Sequence, residues 1–243
     1  MTEARFEVTV GPDLVVGVLH LPDTSPAPCV VACHGLGASK DSDKYLLLGR
    51  ELPRSGLALA RFDFRGSGES DALPGGATVA SRVADLVAVI ERLAKHPALD
   101  GRAGLLGSSL GGFVALWAAA ERADGAPVVT WNAPASLAEL GAGHSPVASD
   151  PLAALAAEVR AGRYAEAPRG VSGVLVVQGE ADTVVAAHHA RALWDGAAAP
   201  KQLHLIAGAD HRLSEPAHRA EAVEVSRRWF ARHLVGAARG RTG

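Results

Sequence analysis

The sequence predicts an α/β protein organised on one mainly parallel sheet with helices on both faces. Three observations carry that expectation. Apolar runs of strand length alternate with amphipathic segments of helix length from Cys29 to Leu234, the pattern of successive βαβ units. Cys29-Val30-Val31-Ala32-Cys33 is apolar throughout, as a strand covered on both faces must be. Finally, Ala103 to Leu116 reads as a strand, a turn of small residues and an Ala/Leu-rich helix, with Gly107-Ser108-Ser109-Leu110-Gly111 at the turn. At 243 residues the chain suits one such domain, large enough to bury a core without disulfide staples. No repeat or linker divides it, so residues 1–243 are expected to form a single domain.

Each element follows from its local pattern. Phe6, Val8 and Val10 alternate with polar residues ahead of the turn Gly11-Pro12-Asp13, and Leu14 to Leu21 follows, which predicts an antiparallel hairpin. The Cys29–Cys33 strand comes after a loop and ends at His34-Gly35-Leu36-Gly37. Tyr45, Leu48 and Leu52 predict a helix from about Asp43 to Ser55, closed by Gly56. Leu57 to Phe62 is the next strand, followed by a glycine-rich loop from Asp63 to Ser70. Val83, Leu86, Val87, Ile90 and Leu93 form the apolar stripe of a helix over Val79 to Lys95. Beyond the Ser109 turn, Val128–Trp131, Val174–Val177 and Gln202–Ile206 read as strands, with helices at Ala186–Ala197 and Glu215–Leu234. Between Asn132 and Gly173 the pattern loosens into Ala, Gly, Pro and Ser. That stretch, about residues 133–172, reads as an insertion over the sheet edge, with one helix near Pro151 to Arg160 opened by Asp150-Pro151.

Composition excludes several functions. A formal net charge of −2, with no basic run beyond the Arg239-Gly240-Arg241 tail, argues against nucleic acid. No apolar run approaches the length of a membrane span, and the N-terminus opens on a strand pattern rather than a signal core. Cys29 and Cys33, four apart on a strand, stand about 13 Å from each other, beyond disulfide reach. A reducing, cytoplasmic setting suits that usage. Neither H-E-x-x-H nor C-x-x-C occurs, and the neighbouring His188 and His189 are expected to face different ways on their helix. The reading therefore includes no metal and no cofactor.

The chemistry gathers at the carboxyl ends of the parallel strands, where such sheets place their ligands. G-x-S-x-G fits only with Ser109 at its centre, on a tight strand-to-helix turn that raises the hydroxyl above the sheet. Ser109 is the candidate nucleophile, and serine needs a base within hydrogen-bond reach. Downstream strand ends supply Gln178-Gly179-Glu180-Ala181-Asp182 and Gly208-Ala209-Asp210-His211. His211 is the candidate base and Asp182 the acid that orients it. Asp210 stands beside His211 on the same loop, poorly placed to reach its ring, and reads as structural. The oxyanion would need preorganised donors: the Leu110 N–H opens the helix after Ser109, and the Leu36 N–H follows His34-Gly35. His34 itself reads as a loop brace, and Trp117 and Trp229 as packing residues.

Taken together, His34-Gly35, Arg61-Phe62-Asp63-Phe64-Arg65-Gly66-Ser67-Gly68-Glu69-Ser70, Gly107-Ser108-Ser109-Leu110-Gly111-Gly112, Gly179-Glu180-Ala181-Asp182 and Gly208-Ala209-Asp210-His211 resemble the α/β-hydrolase superfamily. The order serine, acid, histidine is that superfamily's triad order. Within it the chain is most similar to small esterases of the cinnamoyl/feruloyl-esterase and serine-aminopeptidase-like branch, from about Val8 to Leu234. The resemblance implies an α/β-hydrolase fold with a short cap insertion and an architectural role for the Asp63–Ser70 loop. Val185-Ala186 departs from the Val-Pro that relatives often carry, which should alter only the start of the next helix. The expected activity is cleavage of a small-molecule carboxylic ester through an acyl-enzyme. Thioester or amide cleavage on the same triad, or a small-molecule receptor retaining the fold, are the alternatives. Leu137, Leu140, Val147, Leu152, Leu155 and Val159 are the main aliphatics of the insertion, too few for a long-chain lid, so short or compact aromatic acyl groups are expected.

Overall fold

The computed structural model describes residues 2–73, 76–141 and 152–235. Its strands are β1 (Thr2–Val10), β2 (Asp13–Leu21), β3 (Ala27–Cys33), β4 (Ala58–Phe62), β5 (Leu99–Ser108), β6 (Val128–Trp131), β7 (Ser172–Gly179) and β8 (Ala198–Ile206). They form one sheet in the order β1-β2-β4-β3-β5-β6-β7-β8. Among the described residues β2 alone runs against the rest, antiparallel to β1 and β4, while β4 through β8 pair in parallel. The helices are α1 (Asp43–Glu51), α2 (Val79–Leu93), α3 (Leu110–Arg122), α4 (Leu137–Gly141), α5 (Ala153–Arg160), α6 (Ala187–Gly196) and α7 (Pro216–Phe230).

Strand alternation sorts the core into two layers. Cys29, Val31, Ala60, Leu105, Val174 and Val176 face α2, α3 and α6. Their neighbours Val30, Ala32, Leu59, Leu106, Leu175 and Val177 face α1 and α7. Both faces are thus covered, which is why the central strands are apolar at most positions. Cys29 and Cys33 are free and buried on the α2/α3 face, and burial pushes the Cys29 thiol up to about 12.

The chain leaves β3 for β4 on one side, then returns past β3 to β5 and moves away through β6. β3 and β5 therefore flank the point where the winding reverses, the crevice where α/β sheets bind ligands. Cys33 pairs with Gly107 there, so the His34 loop and the Ser109 turn leave the sheet side by side. The loop is braced by His34, whose Nδ1 bonds the Gly35 carbonyl at 2.8 Å while Nε2 accepts the Phe64 amide at 3.1 Å. Burial lowers the His34 pKa to about 4, keeping the ring neutral. Next to it the Asp63 carboxylate, wholly buried, accepts the amides of Lys40 (2.7 Å) and Glu69 (3.0 Å) and holds the Asp63–Ser70 loop in shape.

Several boundaries differ from the pattern-based expectation. α1 stops at Glu51 because Pro53 cannot donate an amide, and Pro53–Ser55 forms a separate 3-10 turn closed by Gly56 at φ +75°. β5, β7 and β8 start earlier than their apolar runs: Leu99 pairs with Ala27, Ser172 with Ala198 and Lys201 with Val174, so the ladder forms at polar positions too. α7 gives way after Phe230 to a π turn over Ala231–Val235. The insertion holds two described helices rather than one: α4, five residues long, is too short to show a period. α5 starts behind Leu152; Asp150, Pro151 and Val147 lie outside the described residues, as does Arg239-Gly240-Arg241.

The insertion docks on α2 and α3. Glu158 of α5 accepts the first amides of α2, Val79 (2.6 Å) and Ala80 (3.1 Å), a carboxylate at a helix N-terminus. Trp117 of α3 meets Tyr164 edge to face at 4.8 Å. The insertion's two ends close on each other through Leu137 N–H to the Ala165 carbonyl and Ala167 N–H to the Ala135 carbonyl.

Two expectations test this packing. A Cβ on Gly111 would lie 2.3 Å from the Cys33 carbonyl oxygen, so Gly111→Ala should lower stability by about 2 kcal/mol or more; an unchanged urea midpoint would contradict the close approach. His34 is neutral in the folded chain and protonates in the unfolded chain below its ordinary value of about 6.5. Its contribution is complete above that value and is lost as pH falls toward about 4, a span worth about 3 kcal/mol. His34→Gln keeps an acceptor for the Phe64 amide, and its stability should decline less than wild type between pH 7 and 4.5 in urea unfolding. Parallel pH profiles would show that His34 titrates normally.

Candidate active site

Ser109 sits between β5 and α3 with φ +55° and ψ −128°, a conformation that non-glycine residues avoid and that costs about 1–3 kcal/mol. Small neighbours make it possible. A Cβ on Gly107 would lie 2.1 Å from the Gly111 oxygen, and one on Gly112 would lie 2.7 Å from Ala133 Cβ. The motif's second glycine is needed for a different reason than turn tightness: the carbonyls of Cys33, which ends β3, and of His34 after it occupy the space a Gly111 side chain would take. The turn is held by the Ser109 amide donating to the Trp131 carbonyl at 2.8 Å and by the Gly112 amide donating to the Ser109 carbonyl at 2.9 Å.

The turn after β7 delivers Asp182 and the loop after β8 delivers His211. His211 Nδ1–H donates to Asp182 Oδ2 at 2.8 Å, and His211 Nε2 lies 3.1 Å from Ser109 Oγ. The structure thus brings the three sequence-predicted residues into one hydrogen-bonded row. Asp182 Oδ1 accepts the amides of Val184 and Val185, both at 2.8 Å, and Gln178 Nε2 donates to Oδ2 at 3.3 Å. Burial works to raise the Asp182 pKa, but His211 and the Val185 and Val184 amides outweigh it, so its carboxyl stays below the usual range. The Asp182 side chain is fully enclosed, whereas that of His211 is 20% exposed. Asp210 turns away and binds the Ser214 amide (2.7 Å) and hydroxyl (2.6 Å).

The two proposed oxyanion donors lie on the elements expected. Leu110 opens α3 and its side chain is buried; Leu36 follows Gly35, its side chain exposed. Gly35 is packed so closely on Ser109 that a Cβ there would lie 3.0 Å from Ser109 Cβ.

Two side chains at the site escaped sequence reasoning. Gln178, buried at the end of β7, also donates to the Val185 carbonyl at 3.0 Å and so ties the acid turn to the strand. Lys44 reaches under the turn and donates from Nζ to Ser108 Oγ at 2.8 Å. Burial and the nearby Arg212 lower its pKa to about 8, against the pull of Asp210. Beside it the Tyr45 hydroxyl donates to the Cys33 carbonyl at 2.9 Å, so α1 grips both strand ends that meet at the crevice. A lysine directly before a core tyrosine is the signal that pattern reading passed over.

Among the described residues two groups have the spacing of metal ligands. In the first, Asp41, Asp63 and Glu69 surround the Lys40 ammonium, which bonds Asp41 at 2.7 Å, Asp63 at 3.1 Å and Glu69. The second corrects the expectation that His188 and His189 diverge. Their ring centroids are 4.2 Å apart at the start of α6, where both reach Glu139 of α4, at 2.9 and 3.6 Å. His189 Nδ1 accepts the Ala135 amide at 3.3 Å, which leaves the proton on Nε2, the nitrogen facing Glu139. A histidine ligand needs the reverse arrangement, its second nitrogen donating. No helix among the described residues is long and apolar enough to cross a membrane.

The sequence matches the family described as serine aminopeptidase, S33 over residues 24–159. It is 32% identical over 203 residues to an uncharacterised protein of Mycobacterium tuberculosis, a match covering 81% of this chain and 68% of that protein. In three dimensions it superposes on Est1E from Butyrivibrio proteoclasticus, solved with ferulic acid bound, with a TM-score of 0.81 at 18% identity, covering 95% of this chain and 99% of that one. It likewise superposes on XC6422 from Xanthomonas campestris, a serine hydrolase described as having no lid, with a TM-score of 0.70 at 21% identity, covering 96% and 95% of the two chains. With eight strands in this order and this family match, the chain belongs to the serine aminopeptidase S33 family of α/β hydrolases.

Proposed function

We propose that this protein is a cytoplasmic serine carboxylesterase, residues 133–172 forming a short cap over a single catalytic domain. The observation that carries the reading is the row Ser109 Oγ–His211 Nε2 and His211 Nδ1–Asp182 Oδ2, at 3.1 and 2.8 Å. His211 takes the Ser109 proton as Oγ attacks the ester carbonyl carbon. The carbonyl electron pair moves to oxygen, where the Leu36 and Leu110 amides receive the charge. As the tetrahedral adduct collapses, His211 gives its proton to the departing alcohol, leaving the acyl group on Ser109. Water, deprotonated by His211, then releases the acid by the same steps. Asp182 keeps the imidazole in the right tautomer and stabilises its charged form.

Short or compact aromatic acyl groups fit the cap best. Leu137 is buried in the core and Leu155 and Val159 pack against it, which leaves Leu140 and Leu152 as the exposed large aliphatics among the described residues of the insertion. Two leucines offer little apolar surface to repay a long chain at about 0.8 kcal/mol per CH₂. The neighbour that binds ferulic acid and the neighbour without a lid support the same size range.

Rates on p-nitrophenyl esters should peak at short acyl length, fall toward long chains and show no jump above the micelle concentration. An optimum at long chains would refute the size assignment. Ser109→Ala should abolish turnover and fluorophosphonate labelling. Asp182→Asn should lower kcat by about 10⁴-fold and Asp210→Asn far less; the reverse ranking would move the acid's role to Asp210.

A further inference from the structure

One buried dipeptide, Trp131-Asn132, touches all three strand ends that carry the hydrogen-bonded row. It lies where β6 leaves the sheet, between the Ser109 turn and the Asp182 turn. The Trp131 carbonyl receives the Ser109 amide at 2.8 Å. Asn132 Oδ1 accepts the Gly179 amide at 2.8 Å, at the root of the turn that bears Asp182. Its Nδ2 donates to two carbonyls of the opposite loop, Asp210 at 3.1 Å and His211 itself at 2.9 Å. The Asn132 amide meanwhile donates to the Val177 carbonyl at 2.9 Å, extending the β6–β7 ladder by one rung.

Asn132 makes these contacts from an unusual backbone. Its φ is +51°, the left-handed region that asparagine tolerates better than other side-chain-bearing residues. The residue itself is 1% exposed. An amide side chain is the one short group offering an acceptor and two donor hydrogens at once; aspartate would face two carbonyl oxygens without a proton to give.

We infer that Asn132 is a positioning residue of the esterase reaction, fixing the His211 loop and the Asp182 turn against each other at one distance from Ser109. The inference rests on the proposed serine-hydrolase reading, and it adds a residue that touches neither substrate nor the reacting atoms. Without Asn132 the histidine loop loses two bonds that set the height of His211 above the sheet, while the Ser109 turn keeps its own. Misplacement of a catalytic group by about 1 Å can cost about 10²-fold in rate.

Glycine at this position separates backbone from side chain, because it adopts φ +51° without strain and removes only the three side-chain bonds. Asn132→Gly should lower kcat by about 10²-fold while KM changes less than twofold, and should slow fluorophosphonate labelling of Ser109 to a similar degree. Leu48→Ala, a core truncation in α1, serves as the comparison: it should cost stability yet keep kcat. A second readout needs no turnover. The downfield proton resonance of His211 Nδ1–H, assigned by its loss in Asp182→Asn, should broaden or shift in Asn132→Gly and stay in place in Leu48→Ala. Wild-type kcat, labelling rate and resonance in Asn132→Gly would overturn the inference and leave the esterase reading standing. A wild-type protein inert to esters and fluorophosphonate would overturn that reading, and the positioning role in catalysis with it.

Discussion

Backbone contact at the centre of the sheet governs this molecule. Where β3 and β5 end side by side, α3 begins so close to them that Gly107 and Gly111 have no room for a side chain. The strained Ser109 conformation follows from that approach, because the chain must reverse from strand to helix within one residue. So does the nearness of the Gly35-Leu36 backbone to Ser109. The strain is stored at the candidate nucleophile and sustained by the packing of two helical layers around it.

Burial sets the charges around this point. His34, on the loop beside Ser109, is kept neutral and acts as a fixed pair of hydrogen-bonding atoms. Asp182 is enclosed yet supplied with two amides and a histidine, so its charge is retained where an unpaired carboxylate would be expelled. Lys44, beneath the turn, is eased toward its neutral form by burial and Arg212. The site is thus a set of buried polar groups, each with partners, placed at the edge of an otherwise apolar sheet.

Much of this was legible in the residues. The continuous apolarity of Cys29–Cys33 and the helical stripe from Val83 to Leu93 set the layers, and G-x-S-x-G placed Ser109 on the one turn that needs glycine on both sides. Ser109, Asp182 and His211, read from the ends of β5, β7 and β8, are the residues that meet in one hydrogen-bonded row. What pattern could not reach were features with no period and no motif. α4 is a single turn and a half, held by its contacts. Asn132 and Lys44 act through hydrogen bonds between segments distant in sequence, and Gln178 ties a motif-free turn to its own strand. His188 and His189 converge because they start α6, where Glu139 draws both rings to one side, a pairing set by the insertion's fold.

The central claim is that Ser109 carries the acyl group during turnover. Its most direct test is acid quench of the enzyme within the first turnovers of a p-nitrophenyl ester, followed by peptide mass analysis. Our account predicts one acyl group per chain, on the tryptic peptide Ala103–Arg122, with fragmentation placing it on Ser109 rather than Ser108. Acylation at another residue, or steady turnover with no acylated peptide at any time, would contradict it.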